Sequence, residues 1–144
     1  MSIRSPARSV LRAALFPAAV LAVYFLAREP LHLRSVSYGW TNVAMHFVGG
    51  FAVAHFAAAL LLPLAAALPR PRRALLLAVG IIALTATLAV SWEFFECVVA
   101  RVLHVRGPSR GGDSLRDIAA GIAGGLAYVS SSLVLRAGAS RPAA

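Results

Sequence analysis

The chain has 144 residues, 60% of them apolar, and a mean hydropathy of +0.79. Soluble domains contain roughly 45–50% apolar residues, and a domain this short buries only about two-thirds of its surface, so the composition excludes a soluble globular fold. The net charge is +9, but the arginines stand in short clusters between apolar runs, without the basic helical stripe of a nucleic-acid-binding protein. The expected partners are therefore membrane lipids and not nucleic acids.

Four apolar runs approach or exceed the roughly 20 residues that a helix needs to span a bilayer. They predict transmembrane helices at residues 10–27, 43–68, 74–103 and 113–135, followed by a disordered tail at 136–144. The first run follows three arginines, as a signal peptide would, but no small-residue cleavage site comes after it. It is interpreted as an uncleaved anchor.

The second run is entered through aromatic residues of the kind that lie at a membrane interface, Tyr38 and Trp40. Asn42 stands just before this run and is predicted to cap the helix. Pro63 is expected to kink the helix or break its last turn, because proline has no backbone N–H. Residues 69–73 contain two prolines and three arginines and predict a tight reversal into the third helix.

These elements predict an all-α polytopic membrane protein, a single domain over residues 1–144 made of four transmembrane helices. Arginines favour the cytoplasmic side of a membrane. With the N-terminus inside, eight arginines are cytoplasmic and six are not. The sequence therefore predicts a multi-pass protein of the inner (plasma) membrane with both termini in the cytoplasm.

The acidic residues are few and concentrated. Of the five in the chain, Glu93 and Glu96 lie near the end of the third predicted helix, and Asp113 and Asp117 open the fourth. Consecutive helical residues turn by about 100°, so the two glutamates are about 60° apart and the two aspartates about 40° apart. Each pair is therefore predicted to share one face of its helix.

The alternating direction of the helices brings these acids to one membrane surface, together with His46 near the start of the second helix. An intramembrane carboxylate costs roughly 2.5–3.5 kcal/mol at mid-bilayer and needs a compensating charge, proton or water. One imidazole and several carboxylates suit a divalent metal ion. The predicted metal ligands are His46, Glu93, Asp113 and Asp117, with Glu96 as a general base or as a residue that supports a ligand.

Simpler interpretations remain open for each of these residues. Asp113 is a good N-cap and residues 114–117 fit a capping box, so either aspartate would then only start the fourth helix. The glutamates would pair with Arg101 at the interface. His55 lies about 180° around the helix from His46 and is predicted to be structural.

At these residues the sequence resembles the VanZ-like and YjdF-like groups of small bacterial membrane proteins. The shared motifs are His-Phe-x-Gly-Gly at residues 46–50, Trp-Glu-x-x-Glu at 92–96, and Asp-x3-Asp at 113–117 followed by glycines. Ala120 or Gly121 stands where VanZ-like members are expected to carry an asparagine, so the YjdF-like pattern is closer. The resemblance to VanZ-like proteins implies a role at the cell envelope.

The leading hypothesis is a membrane protein that binds a divalent metal near the outer leaflet and handles a lipid or cell-envelope substrate. If the chain is an enzyme, metal-assisted hydrolysis or group transfer is expected. The alternatives are a non-catalytic proton or ion pathway and a structural or partner-binding membrane subunit.

Overall fold

The computed structural model describes residues 6–28, 38–102 and 111–139. These residues form four α-helices and no strand: α1 (Pro6–Arg28), α2 (Tyr38–Leu64), α3 (Arg70–Val102) and α4 (Gly111–Ala139). Spans in α1, α2 and α3 are long and apolar enough to cross a membrane. With its 29 residues, α4 is about 43 Å long. The prediction of a helical, polytopic membrane protein is confirmed.

The helices are longer than the apolar runs that predict them. α2 begins at Tyr38, which puts Asn42 inside the helix, so its prediction as an N-cap is wrong. α3 begins at Arg70 rather than residue 74, because Pro71 falls in the first turn, where a missing N–H removes no helical bond. At its other end α4 continues through Ala139. This corrects the predicted helix end at residue 135 and the predicted tail over 136–139. Residues 140–144 lie outside the described residues.

The reversal between α2 and α3 follows the prolines. Pro63 lies one residue before the end of α2 at Leu64, as its missing N–H predicts, so the predicted end of the second helix at residue 68 is wrong. Short backbone bonds then close the turn, from the Ala66 nitrogen to the Pro63 oxygen and from the Leu68 nitrogen to the Ala65 oxygen. The Arg73 nitrogen donates to the Pro69 oxygen, 2.9 Å away, and starts α3.

α2 is the central helix of the bundle. It packs against α1, α3 and α4, and α3 also packs against α4, whereas α1 makes its backbone contacts with α2. The buried core between α2 and α3 consists mainly of alanines, with larger side chains from α3. Its buried members are Ala54, Ala57, Ala58, Ala65, Leu77 and Ile81.

Glycines allow α2 and α4 to touch through their backbones. A Cβ atom on Gly50 would overlap the carbonyl oxygen of Gly121, and one on Gly124 would overlap the carbonyl oxygen of Phe47. Small residues at membrane helix interfaces permit such close approach. This close contact fixes α4 beside the first half of α2.

Candidate metal centre

Three buried side chains from three helices converge at one end of the bundle: His46 of α2, Glu93 of α3 and Asp117 of α4. The His46 Nε2 atom lies 3.6 Å from Glu93 Oε1 and 3.7 Å from Asp117 Oδ2. One possible ligand atom from each residue lies within 4.8 Å of the other two. Glu93 is 5% exposed and Asp117 is 4% exposed. The predicted meeting of a histidine, a glutamate and an aspartate is confirmed.

The helix lengths explain why these three residues share one depth. At a rise of 1.5 Å per residue, His46 lies about 12 Å from the start of α2, Glu93 about 13 Å from the end of α3, and Asp117 about 9 Å from the start of α4. Those three helix ends lie at the same face of the antiparallel bundle. The cluster is therefore well inside the bundle and not at its rim.

Several polar atoms of the cluster lack a hydrogen-bond partner among the described residues. They are His46 Nε2, both oxygens of Glu93 and Asp117 Oδ1, all of them inaccessible. Ser114 of α4 lies close to the Glu93 carboxylate without meeting hydrogen-bond geometry. Buried polar groups are almost always satisfied, so this cluster has the chemistry of a site that needs a further binding partner.

Asn42 organises one side of the cluster. Its Nδ2 group donates a hydrogen bond to Asp117 Oδ2, across the α2–α4 interface. Asp117 is thus held by another helix and is not bonded back to its own helix start, as a capping box requires. That interpretation fails for Asp117, and the donor found here leaves Oδ1 of the same carboxylate available.

Glu96 lies one turn beyond Glu93 and is half-buried. The Tyr24 hydroxyl of α1 donates to Glu96 Oε1 over 2.6 Å. The Tyr24 ring also packs edge-on against Trp92, with 5.9 Å between ring centroids. Glu96 therefore connects α1 to the cluster, and its role as a general base stays a prediction.

The remaining predicted residues lie elsewhere. Asp113 is exposed in the first turn of α4 and is not part of the three-residue group. A residue spacing of four moves a side chain about 6 Å along a helix, which leaves Asp113 nearer the surface than Asp117. His55 packs its ring against Phe16 and Tyr128, outside the cluster, as predicted. Arg101 is exposed.

Residues 11–137 match the family described as "Predicted membrane protein (DUF2238)". The chain belongs to this family. Its membership supports a membrane location and does not support the VanZ-like or YjdF-like names, which remain a resemblance of motifs. Comparison with curated proteins and with solved structures gives no match.

In this DUF2238 member the cluster adjoins a cavity of about 510 Å³ between α1, α2 and α3. Ligand sites commonly measure about 300–1,000 Å³. The cavity is walled mostly by apolar side chains, and His46 and Tyr24 lie on its wall. Trp92 is half-buried there. Phe95 also lines the cavity but is exposed, as is Phe94.

Two residues of the site were not predicted from the sequence as members of it. Asn42 precedes His46 by four residues, so both lie on one helical face, and this Asn-x3-His spacing was a usable signal. Tyr24 carries no comparable signal, because its hydroxyl reaches Glu96 only through the packing of α1. The glycine-rich connection before α4 lies, up to residue 110, outside the described residues.

Proposed function

We propose that the chain binds one divalent metal ion through His46, Glu93 and Asp117. The observation that carries the proposal is the convergence of three buried side chains whose ligand atoms lie within 4.8 Å of one another. Two ligands of a tetrahedral ion, each about 2.0–2.1 Å from it, are about 3.3 Å apart. The distances of 3.6 and 3.7 Å from His46 Nε2 to the two carboxylates are close to that value.

Charge balance supports a divalent ion. Two ionised carboxylates and a neutral imidazole carry two negative charges, which one divalent cation neutralises. A histidinium alone would leave one negative charge buried among apolar helices, and uncompensated buried charges are costly. A neutral histidine and two carboxylates form a nitrogen and oxygen ligand set that suits zinc, manganese or another borderline divalent ion.

The chemistry follows from the number of ligands. Three protein ligands leave a position open for water or substrate, as in catalytic zinc sites, and the metal would lower the pKa of a bound water or polarise a substrate oxygen. We therefore favour metal-assisted hydrolysis or group transfer on a lipid or cell-envelope substrate. Glu96, held by Tyr24, would act as general base or support the Glu93 ligand.

A proton or ion pathway needs polar groups along its whole length. Beyond the cluster, the buried polar side chain among the described residues is Thr85, and its hydroxyl donates to the Ile81 carbonyl on its own helix. The rest of the described core is alanine, leucine and isoleucine. This arrangement favours a localised metal site over a pathway that crosses the bundle.

The metal test compares chains purified in detergent after dialysis against zinc or manganese. Wild type is expected to retain about one ion per chain, and Glu93→Gln and Asp117→Asn to retain almost none. Asp113→Asn is the matched control, because it removes an exposed acid from the same helix. Metal-free wild type, or equal loss in the Asp113→Asn control, contradicts the proposal.

Activity is tested separately in liposomes made from total membrane lipid, with lipids identified by mass spectrometry before and after incubation with metal. The proposed reaction predicts a metal-dependent product with wild type and with Asp113→Asn. Glu96→Gln is expected to abolish the product while retaining the metal. Metal binding with no change in any lipid would reject the enzyme and keep the metal site.

We further propose that the protein spans the inner membrane with both termini in the cytoplasm and the metal centre near the outer leaflet. In a chain whose single cysteine, Cys97, is replaced, new cysteines at Ser109 and Ser140 report the two sides. An impermeant thiol reagent on intact cells is expected to label the cysteine at 109 only. Labelling at 140 only would show that the protein has the opposite orientation in the membrane.

A further inference from the structure

The cavity beside the cluster is a groove with one polar end. Its walls come mainly from α1, α2 and α3, and Gly121 of α4 also lines it. Apolar residues such as Val20, Leu21, Val53 and Leu88 lie along its length. Along α2 the lining runs from Met45 to Phe56, which is about 16 Å at the rise of an α-helix. Half the hydrocarbon thickness of a bilayer is about 15 Å, so the groove has the length of one leaflet's acyl chains.

Three polar side chains on the groove wall, Thr85, Ser91 and Tyr24, have hydrogen-bond partners within the protein. The Thr85 hydroxyl donates to the Ile81 carbonyl and the Ser91 hydroxyl donates to the Thr87 carbonyl, both on the same helix. Tyr24 donates to Glu96. His46 lines the groove, its side chain is 9% exposed, and its Nε2 has no hydrogen-bond partner among the described residues.

Helix packing does not close the groove between α1 and α3. Within the described residues these two helices have no close backbone approach, and side chains join them at the cluster end, where Tyr24 and Phe25 contact Trp92. Water is a poor occupant, because a buried water needs two to four polar partners. The surrounding lipid supplies an occupant that is apolar along its length and polar at one end.

We infer that the groove binds one acyl chain of a membrane lipid, with the lipid's polar group at His46 and Tyr24. This inference rests on the proposed function in one respect: the bound lipid presents its polar group to the metal centre. The substrate class is therefore a diacyl lipid of the leaflet on the cluster side, entering sideways between α1 and α3.

The two tryptophans provide a direct test. Trp92 lines the groove and Trp40 is 86% exposed near the start of α2, so Trp40→Phe leaves Trp92 as the reporter. The full chain with this change, in detergent micelles, is titrated with phosphatidylcholine that carries bromine on one acyl chain, near either its carboxyl or its methyl end. Bromine quenches tryptophan fluorescence on close contact. Saturable quenching is expected, and it should be stronger with bromine near the carboxyl end, because Trp92 neighbours Glu93.

Gly49 allows the groove to be blocked without disturbing the helix contacts. It lines the groove, and a Cβ atom placed on it meets no atom within 4 Å. Gly49→Leu is expected to raise the lipid concentration for half-maximal quenching by about tenfold or more, and Val53→Phe should do the same from a second position. Two control variants should bind lipid as the parent does. Gly49→Ala adds only one methyl group to the groove wall, and Ala83→Leu introduces a leucine at an exposed position on α3.

Zinc content is measured on the same samples, so failure of the lipid site can be distinguished from failure of the metal proposal. Quenching that does not saturate, or that is unchanged in both Gly49→Leu and Val53→Phe, overturns the lipid site. Stronger quenching from the methyl end overturns the orientation of the lipid. Saturable quenching in a chain that binds no zinc keeps the lipid site and rejects the metal proposal.

Discussion

The two sides of α2 are built in opposite ways. Toward α4 the backbones touch, and neither Gly50 nor Gly124 has room for a side chain. Toward α1 and α3 the same helix borders a cavity of about 510 Å³, and α1 reaches α3 through the side chains of Tyr24 and Phe25. One side, the closed side, is in backbone contact with α4, and the other, the open side, borders the cavity.

The proposed site needs both rigidly held metal ligands and access for a substrate, and one tightly packed interface cannot provide both. Metal ligands must be held within fractions of an ångström on rigid elements, and the closed side carries two of the proposed ligands, His46 and Asp117. The proposed lipid substrate must enter and leave, and the open side would provide the route. Two adjacent glycines lie on the two sides: Gly50 contacts α4, and Gly49 lines the groove.

The largest difference between the two sides is expected when one methyl group is added to Gly50 or to Gly49. Gly50→Ala places a carbon on the Gly121 carbonyl, and backbone cannot yield as a flexible side chain can. We expect a loss of about 3 kcal/mol in the free energy of unfolding, measured by denaturation in detergent. Gly49→Ala should be neutral or stabilise by about 0.5–1 kcal/mol, as alanine replaces glycine in an open helical position. Equal effects would show that the two sides do not differ.

The closed side should also set the metal affinity through Asn42. Asn42→Ala removes the donor that holds Asp117 while keeping all three proposed ligands. Losing such a supporting contact typically costs 10–100-fold in metal affinity, and we expect a loss in that range from zinc titration against a competing chelator. Unchanged affinity in Asn42→Ala would mean that Asp117 needs no support. Asp113→Asn should leave affinity unaltered.

On the open side, Tyr24→Phe removes the hydroxyl that bonds Glu96 and keeps the ring that packs on Trp92. A hydrogen bond to a charged group contributes about 1.5–3 kcal/mol when buried, and this half-exposed one should contribute about 1–2 kcal/mol. Hydrogen exchange is expected to speed up in α1 and to stay unchanged in α4. Faster exchange in both helices would argue against α1 as a separately held element.

The smallest effect is expected at the second histidine. His55 is exposed and contacts the rings of Phe16 and Tyr128, contacts that phenylalanine also makes. His55→Phe should change the free energy of unfolding by less than about 0.5 kcal/mol and leave the zinc content at the wild-type level. A loss of zinc in this variant would place His55 in the metal centre, contrary to the structure.

Sequence reasoning predicted the cluster because two simple regularities determine it. The 100° turn per residue sets which side chains share a face, and antiparallel helices bring the start of α2, the end of α3 and the start of α4 to one surface. Together these place His46, Glu93 and Asp117 at one level. Neither regularity requires knowledge of the packing.

The errors have a physical cause as well. Hydropathy locates the apolar part of a helix, but helices continue into the interface, where backbone hydrogen bonds remain favourable. Asn42 therefore lies inside α2 and not at its N-cap. Asp113 shares a face with Asp117 but not its depth. The contribution of Tyr24 depends on how α1 leans on α2 and α3, which no local pattern in the sequence encodes.

The three proposed ligands lie on three successive helices, and this has a consequence for how the protein is made. Helices enter a membrane in the order in which they leave the ribosome, so His46 and Glu93 are in the bilayer before Asp117 has been delivered. A metal ion cannot find its full ligand set in a partly inserted chain. Metal occupancy would therefore report that α4 has been inserted and has docked against α2, and a chain truncated before α4 would be recognisable by its lack of metal.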